Sequence, residues 1–225
     1  GNVVTLTFET DVEIQIPSAT ISTQNGIISD LGSNRWSVSY EMQDGDTEGV
    51  VPFQIGTLID SRGNPTEGTS STTDGTIVTF DNTKPTLSSV KIISNNSDSS
   101  WAKVGDTITV EFIGNELLID QSATIVNQTA AITSTGTGVI SEKFYAKYIM
   151  TESDPEGEVP FEILVIDSVG LDSDPVIQTT DESLVIFDRT APILSTVHIE
   201  SDNENNTSIA IADDNIDLSF MKADK

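Results

Sequence analysis

The chain has 225 residues, of which 36 are Asp or Glu and 10 are Lys or Arg, giving a formal net charge of -26. Such a charge repels nucleic acid and anionic lipid, and it opposes self-association unless cations intervene. Cysteine is absent, which excludes disulfides, thiolate catalysis and zinc-thiolate sites. No apolar run approaches the roughly 20 residues that span a bilayer, so direct membrane insertion is not expected. Disorder is rejected because 36% of the residues are hydrophobic and they fall in alternating runs.

In chain order, the first run is Gly1-Asn2-Val3-Val4-Thr5-Leu6-Thr7-Phe8, and it returns as Gly105-Asp106-Thr107-Ile108-Thr109-Val110-Glu111-Phe112. Ser18-Ala19-Thr20-Ile21 returns as Ser122-Ala123-Thr124-Ile125, and Trp36 through Met42 returns as Phe144 through Met150. Glu48-Gly49-Val50-Val51-Pro52-Phe53 matches Glu156-Gly157-Glu158-Val159-Pro160-Phe161, and Ile59-Asp60-Ser61 matches Ile166-Asp167-Ser168. Phe80-Asp81-Asn82-Thr83-Lys84-Pro85 closes the first copy, and Phe187-Asp188-Arg189-Thr190-Ala191-Pro192 closes the second. The period is about 105 residues. It divides the chain into a first module at 1–83, a second at 84–190 and the start of a third at 191–225.

The runs are short, alternate with period two and are rich in Thr, Val and Ile, as half-buried strands are. In Val104–Phe112 the apolar Val104, Ile108, Val110 and Phe112 share one side; in Phe53–Ile59, Phe53, Ile55 and Ile59 do. Turns are expected at Asn25-Gly26, Asp44-Gly45, Arg62-Gly63-Asn64-Pro65, Gly136-Thr137-Gly138 and Asp172-Ser173-Asp174-Pro175. No helix is predicted. Seven or so strands per repeat predict an all-β chain of tandem immunoglobulin-like β-sandwiches. Trp36, Phe144, Tyr40 and Tyr148 are expected in core or corner packing. Trp101 and the single histidine, His198, are expected at the surface.

The register leaves the first module without its first strand, the equivalent of Leu87–Ser94, while Leu194–Ser201 repeats that strand at the other end. Two explanations fit. The chain is a segment of a longer array, in which case Gly1 is an internal start. Alternatively, the tail of one chain completes the first module of the next, so that chains assemble head-to-tail by strand donation. Four Asn-X-Ser/Thr tripeptides, at Asn95, Asn127, Asn205 and Asn206, give a weak pointer to glycosylation.

Acidic residues recur at strand ends in both copies. Asp46 and Glu48, with their counterparts Asp154 and Glu156, precede a strand. Asp60 and Asp167 follow that strand, and Asp81 and Asp188 follow the last one. Sandwich topology sends Asp46, Glu48 and Asp81 to one end of the first module, and sends Asp167 and Glu116 to the facing end of the second. Carboxylates so gathered repel one another, and few basic residues are at hand. Ca²⁺ suits such a site because it takes six to eight oxygen ligands at flexible geometry. Mg²⁺ demands stricter geometry, and Zn²⁺ wants Cys or His. The expected cofactor is therefore Ca²⁺, held among Asp46, Glu48, Asp60, Asp81, Glu116, Asp154, Glu156, Asp167 and Asp188. Pro85 and Pro192 restrict the hinge at each joint.

The run Phe80-Asp81-Asn82-Thr83-Lys84-Pro85-Thr86, followed by Ala102-Lys103-Val104-Gly105-Asp106-Thr107-Ile108-Thr109-Val110-Glu111-Phe112 and Asp154-Pro155-Glu156-Gly157, resembles the prokaryotic Ig-like repeats of surface-layer proteins and large adhesins. The resemblance implies a tandem β-sandwich, an extracellular location and calcium at loops or junctions. Asp60-Ser61-Arg62-Gly63-Asn64 resembles the Asp-X-X-Gly-Asn turn of these repeats; the second copy has Leu171 in place of the Asn.

No Ser/His/Asp constellation, phosphate-binding glycine loop or helix-borne metal motif appears, so an enzyme is not expected. The expected function is a structural module of a surface layer, fibre or adhesin stalk, stiffened by calcium. Its partners would be copies of itself or adjacent repeats. The alternative is an adhesin module that binds a surface glycan, a protein or ice, with Thr- and Ala-rich Asn127–Gly138 as the candidate face.

Overall fold

The computed structural model describes residues 1–136 and 138–222; Thr137, within the expected Gly136-Thr137-Gly138 turn, and the last three residues of the expected third repeat lie outside the described residues. Among the described residues all regular structure is β-strand. They fall into two compact units, Gly1–Pro85 with Ile166–Ser173, and Thr86–Val165 with the chain from Asp174 onward.

The first unit contains β1 (Val3–Glu9), β2 (Ala19–Ile21), β3 (Gln24–Asn25), β4 (Ile27–Gly32), β5 (Arg35–Glu41), β6 (Gly49–Val50), β7 (Phe53–Ile55), β8 (Leu58–Ile59), β9 (Pro65–Thr66) and β10 (Thr79–Phe80). One sheet has the order β1-β5-β4 and another the order β3-β2-β7, with β10-β6 and β8-β9 as short pairs. Phe53–Ile59 was expected as one strand. It is two, β7 and β8, with a break at Gly56, whose N–H donates to the Ser18 carbonyl at 2.8 Å.

In the second unit follow β11 (Leu87–Ser94), β12 (Trp101–Ala102), β13 (Thr107–Gly114), β14 (Leu118–Ile125), β15 (Gln128–Thr129), β16 (Ala131–Ser134), β17 (Lys143–Ile149), β18 (Gly157–Glu158), β19 (Phe161–Asp167, its last two residues counted with the first unit), β20 (Ile186–Phe187), β21 (Leu194–Ser201) and β22 (Ile216–Lys222). The sheet orders are β11-β13-β17-β16, β15-β14-β19 and β12-β20-β18, with β21-β22 as a hairpin. The strand from Val104 is shorter than the alternation suggested. It begins at Thr107, because Val104 lies in the preceding turn with its side chain exposed.

Each unit is an immunoglobulin-like β-sandwich, in which alternate residues of two sheets meet in one core. In the second unit Val110 of β13 and Ala146 of β17 share a core with Ile125 of β14 and Ile163 of β19, and the rings of Phe112 and Phe144 stack with centroids 5.4 Å apart. Val38 of β5 shares the first unit's core with Ile21 of β2 and Ile55 of β7. Trp36 and Phe144 are both buried. The tight hairpin of the first unit turns at Ser22-Thr23, with φ of 50° and 65°, rather than at Asn25-Gly26. Its counterpart turns at Val126-Asn127, with φ of 47° and 60°. These left-handed values match the twist of a two-residue hairpin and are uncommon for β-branched residues.

The two cores differ in one respect. Ile108, Val110 and Phe112 on β13 are 0% exposed. Val4, Leu6 and Phe8, at the same places on β1, are only partly buried. β13 has strand neighbours on both sides, β11 and β17, whereas among the described residues β1 pairs only with β5. Phe112→Ala should therefore lower unfolding free energy by about 3–5 kcal/mol, and Phe8→Ala by clearly less. Urea denaturation of the two variants checks this; equal costs would show that the extra strand adds no burial.

Candidate functional site

A carboxylate at a strand end can accept several loop N–H groups at once, and the repeated acids do this in paired fashion. Asp46 accepts from the Ser22 hydroxyl at 3.1 Å, the Tyr40 hydroxyl at 3.3 Å and the Gln43 N–H at 2.8 Å. Asp154 accepts from the Tyr148 hydroxyl at 3.2 Å and the Thr151 N–H at 2.7 Å. Burial raises the pKa of both tyrosines above the ordinary phenol value, and the neighbouring carboxylate adds to the rise. Asp46 and Asp154 are thus engaged in a corner that fixes the end of β5 and of β17.

Glu48 and Glu156 act on the joint sequences. Glu48 Oε1 accepts the Asn82 N–H at 2.9 Å and the Thr83 hydroxyl at 2.7 Å. Glu156 Oε1 accepts the Arg189 N–H at 3.1 Å and the Thr190 hydroxyl at 2.6 Å, while the Arg189 guanidinium donates to the Glu152 carbonyl. Asp81 Oδ1 and Asp188 Oδ1 accept the N–H of Thr83 and of Thr190, at 3.1 and 2.8 Å. The next residue after each Glu is glycine with φ of 108° or 115°, a conformation that carries almost no cost only without a Cβ. Sequence reading placed these glutamates at strand ends but missed that they staple the joint. The signal was the recurrence of Asp-X-Thr opposite Glu-Gly.

Asp60 and Asp167 hold equivalent turns with one difference. Asp60 Oδ1 accepts the N–H of Arg62 at 2.9 Å and of Asn64 at 2.8 Å, and its Oδ2 accepts the Asn64 side-chain amide at 2.7 Å. Asp167 Oδ1 accepts the N–H of Val169 and of Leu171, both at 2.9 Å. Its Oδ2 has no side-chain amide to meet, because Leu171 stands where Asn64 does. Asp167 is 0% exposed and Oδ2 has no hydrogen-bond partner. A buried carboxylate oxygen without a donor costs several kcal/mol of desolvation, on the order of 1–3 or more. Within the first compact unit a carboxylate oxygen of Asp81 and one of Asp167 lie within 4.8 Å of each other. That distance permits one cation to touch both, and without a cation the two charges repel. Glu116 is half-buried in the turn after β13. Of the expected ligand residues, the structure therefore brings Asp81 and Asp167 together, engages Asp46, Asp154 and Asp60 in their own corners and turns, and gives Glu48, Glu156 and Asp188 to the joints.

Two predictions follow from these contacts. The Thr83 hydroxyl and the Asn82 N–H hold Glu48 below its ordinary value of 4.5. The Asn64 side chain and N–H hold Asp60 below its ordinary 3.8. Groups held low in the fold stabilise it above their ordinary values, and that contribution is lost as pH falls through the lower folded values. Thermal melts from about pH 6 to about pH 3 should therefore fall less steeply for Glu48→Gln than for the parent. The second concerns Leu171→Asn, which restores the amide that Asp60 enjoys. It should raise stability in chelator by about 1–3 kcal/mol; unchanged melts would mean that Asp167 Oδ2 is already satisfied.

No protein-family model matches the chain, and no curated protein matches it. Among solved structures it is similar to a tandem pair of titin Ig domains, at 10% identity and a TM-score of 0.26, over 84% of this chain and 90% of that one. It is also similar to SGBP-B of the Bacteroides ovatus mixed-linkage glucan utilization locus, solved with a mixed-linkage heptasaccharide, at 16% identity and a TM-score of 0.23, over 92% of this chain. There the chain spans 46% of the other's length.

Proposed function

We propose that the chain is a non-enzymatic structural module of an extracellular layer, fibre or stalk, and that Ca²⁺ bound by Asp81 and Asp167 stiffens the joint between repeats. The observation that carries this reading is that Asp167, whose Oδ2 is buried and donorless, has a carboxylate oxygen within 4.8 Å of one of Asp81. A hard cation accepts carboxylate and carbonyl oxygens in irregular arrangements, which suits this donor set, and no soft ligand is needed. Asp81 is already oriented by the Thr83 N–H, so binding would cost it little rotamer entropy.

Calcium would supply charge neutralisation and a cross-link; the chain supplies oriented oxygens and a joint already stapled by Glu48. A tandem design of this kind needs no catalytic group, and repetition of the carboxylates suits scaffolding better than chemistry on a substrate.

The test is calorimetric titration of calcium into the full chain, with thermal melts in calcium and in chelator. A hundredfold excess over the dissociation constant should stabilise by about 2.7 kcal/mol. Asp167→Asn should abolish both heat and shift, while Asp46→Asn should leave calcium binding in place. Absence of any calcium heat at millimolar concentrations would remove the proposal.

One observation favours a second reading, a module that binds a surface glycan or protein. Trp101 is exposed on β12. Exposed aromatic faces stack on sugars and anchor protein partners. A glycan array probed with the chain and with Trp101→Ala separates the readings: a signal lost in the variant supports binding, and a blank array leaves the scaffold.

A further inference from the structure

We infer that the second unit carries a binding site for lysine side chains of a basic partner protein, built from a small cavity and the exposed face of Trp101. The inference names the partner's chemistry for the second reading above, and it rests on that reading. The cavity holds about 280 Å³ and lies wholly within the second unit. It falls below the range that encloses a drug-sized ligand and has room for one long side chain. Its floor is apolar: Ile92, Val159 and Phe161 line it and are 2%, 4% and 8% exposed. Its rim carries Leu184 and two exposed acids, Glu158 and Glu182.

These two acids differ from the carboxylates of the joints. Glu48 and Glu156 accept main-chain N–H groups and threonine hydroxyls. Neither Glu158 nor Glu182 has a side-chain hydrogen bond or an ion pair among the described residues. Lys91, on β11, is drawn to Asp181 at 3.8 Å. The hydroxyls of the cavity are engaged as well. Ser183 Oγ accepts the Ile92 N–H at 3.0 Å, and the Thr179 hydroxyl donates to the Ser183 carbonyl at 2.9 Å. Nor do the two acids belong to the repeat: Val50 stands at the place of Glu158, and Gly75 at the place of Glu182. Gly75 has φ of 76°, and Glu182 keeps that left-handed turn with φ of 61°, a conformation glycine adopts without strain. The first sandwich forms without either charge, so folding does not require the pair.

Glu158 also belongs to a row of side chains on one sheet face. In the sheet β12-β20-β18, Trp101 pairs with Ile186 and Ile186 pairs with Glu158. The neighbouring residues Ala102, Phe187 and Val159 are buried, so the three members of the row point outward together. Trp101 is 47% exposed and stands two strand spacings, roughly 10 Å, from Glu158. Three residues of an extended peptide cover about the same distance. An apolar floor with carboxylates at its rim suits a cation on an alkyl stem. One lysine lays its methylenes on the floor and leaves its ammonium at the rim with Glu158 and Glu182. A second, three residues on, lies over the indole of Trp101, whose face attracts a cation. Charge complementarity selects this occupant, because a net charge of -26 draws basic partners and repels anionic ones.

The test is calorimetric titration of a blocked six-residue alanine peptide, with lysines at its second and fifth positions, into the full chain. Chelator is present, so the result does not depend on the calcium reading, and salt is held at about 0.15 M. The peptide should bind with Kd below about 1 mM. Glu158→Val and Glu182→Gly install the residues of the first repeat and so keep the fold, which circular dichroism verifies. Each should weaken binding at least about fivefold, and Trp101→Ala about two- to fivefold. Asp120→Asn removes an equal charge from an exposed site on β14 and should change binding less than about twofold. A peptide that does not bind overturns the inference; a signal on the glycan array would then leave the second reading standing. Equal weakening by all three charge variants also overturns it, since that is general attraction to an acidic chain. So does spermidine that binds as tightly as the peptide, because the occupant is then a small amine and not a protein.

Discussion

The inward row of the second strand, Ile108, Val110 and Phe112 in one repeat and Val4, Leu6 and Phe8 in the other, governs what each sandwich needs. An apolar row on a half-buried sheet is stable only when something lies over it and when its backbone edges are paired. In the second unit β11 completes both requirements, and the row is sealed. In the first unit, among the described residues, the row has β5 on one side only, and the consequences spread. Val78 loses cover, Phe80 is half-buried where Phe187 is fully buried, and a groove opens along β1.

Carboxylates do a second, separable job. Most of them are satisfied locally: Asp46 by a tyrosine and a turn, Asp60 by the whole Asn64 residue, Glu48 by the joint. A satisfied carboxylate has little reason to recruit a cation, because its lone pairs already point at donors. Asp167 departs from the set through a change at a different residue. Replacing the amide of Asn64 by the alkyl chain of Leu171 removes one donor and leaves one buried oxygen. A pair of otherwise matched turns thereby differs at one oxygen, paired at Asp60 and without a hydrogen-bond partner at Asp167.

Much of the fold was legible in the sequence because β-strands write themselves in period two and the repeat writes them twice. Trp36 and Phe144 could be assigned to the core from their matched places on alternating strands. The hairpin turns were not legible. Ser22-Thr23 and Val126-Asn127 adopt left-handed φ although neither pair carries a glycine signal, since the flanking pairs Thr20 with Asn25 and Thr124 with Thr129 impose the twist. The acidic positions at strand ends could be read as a class, but their individual partners could not. Whether Asp46 turns toward a tyrosine or toward a joint depends on side-chain geometry at a corner, and period and spacing do not encode it. The loss of the Asn at 171 was visible; that it orphans one oxygen required the hydrogen bonds of Asp60 for comparison.

The net charge of -26 sets the background for the proposed cation. So acidic a chain gathers counter-ions over roughly 8 to 10 Å in physiological salt. Under the calcium reading, binding at Asp167 would be electrostatic, and added monovalent salt would weaken it by screening the carboxylates. A divalent ion differs from that atmosphere because two carboxylate oxygens can contact it directly. A joint built this way would respond to the chemical identity of the surrounding ions, whereas the general repulsion among the other carboxylates responds only to their screening.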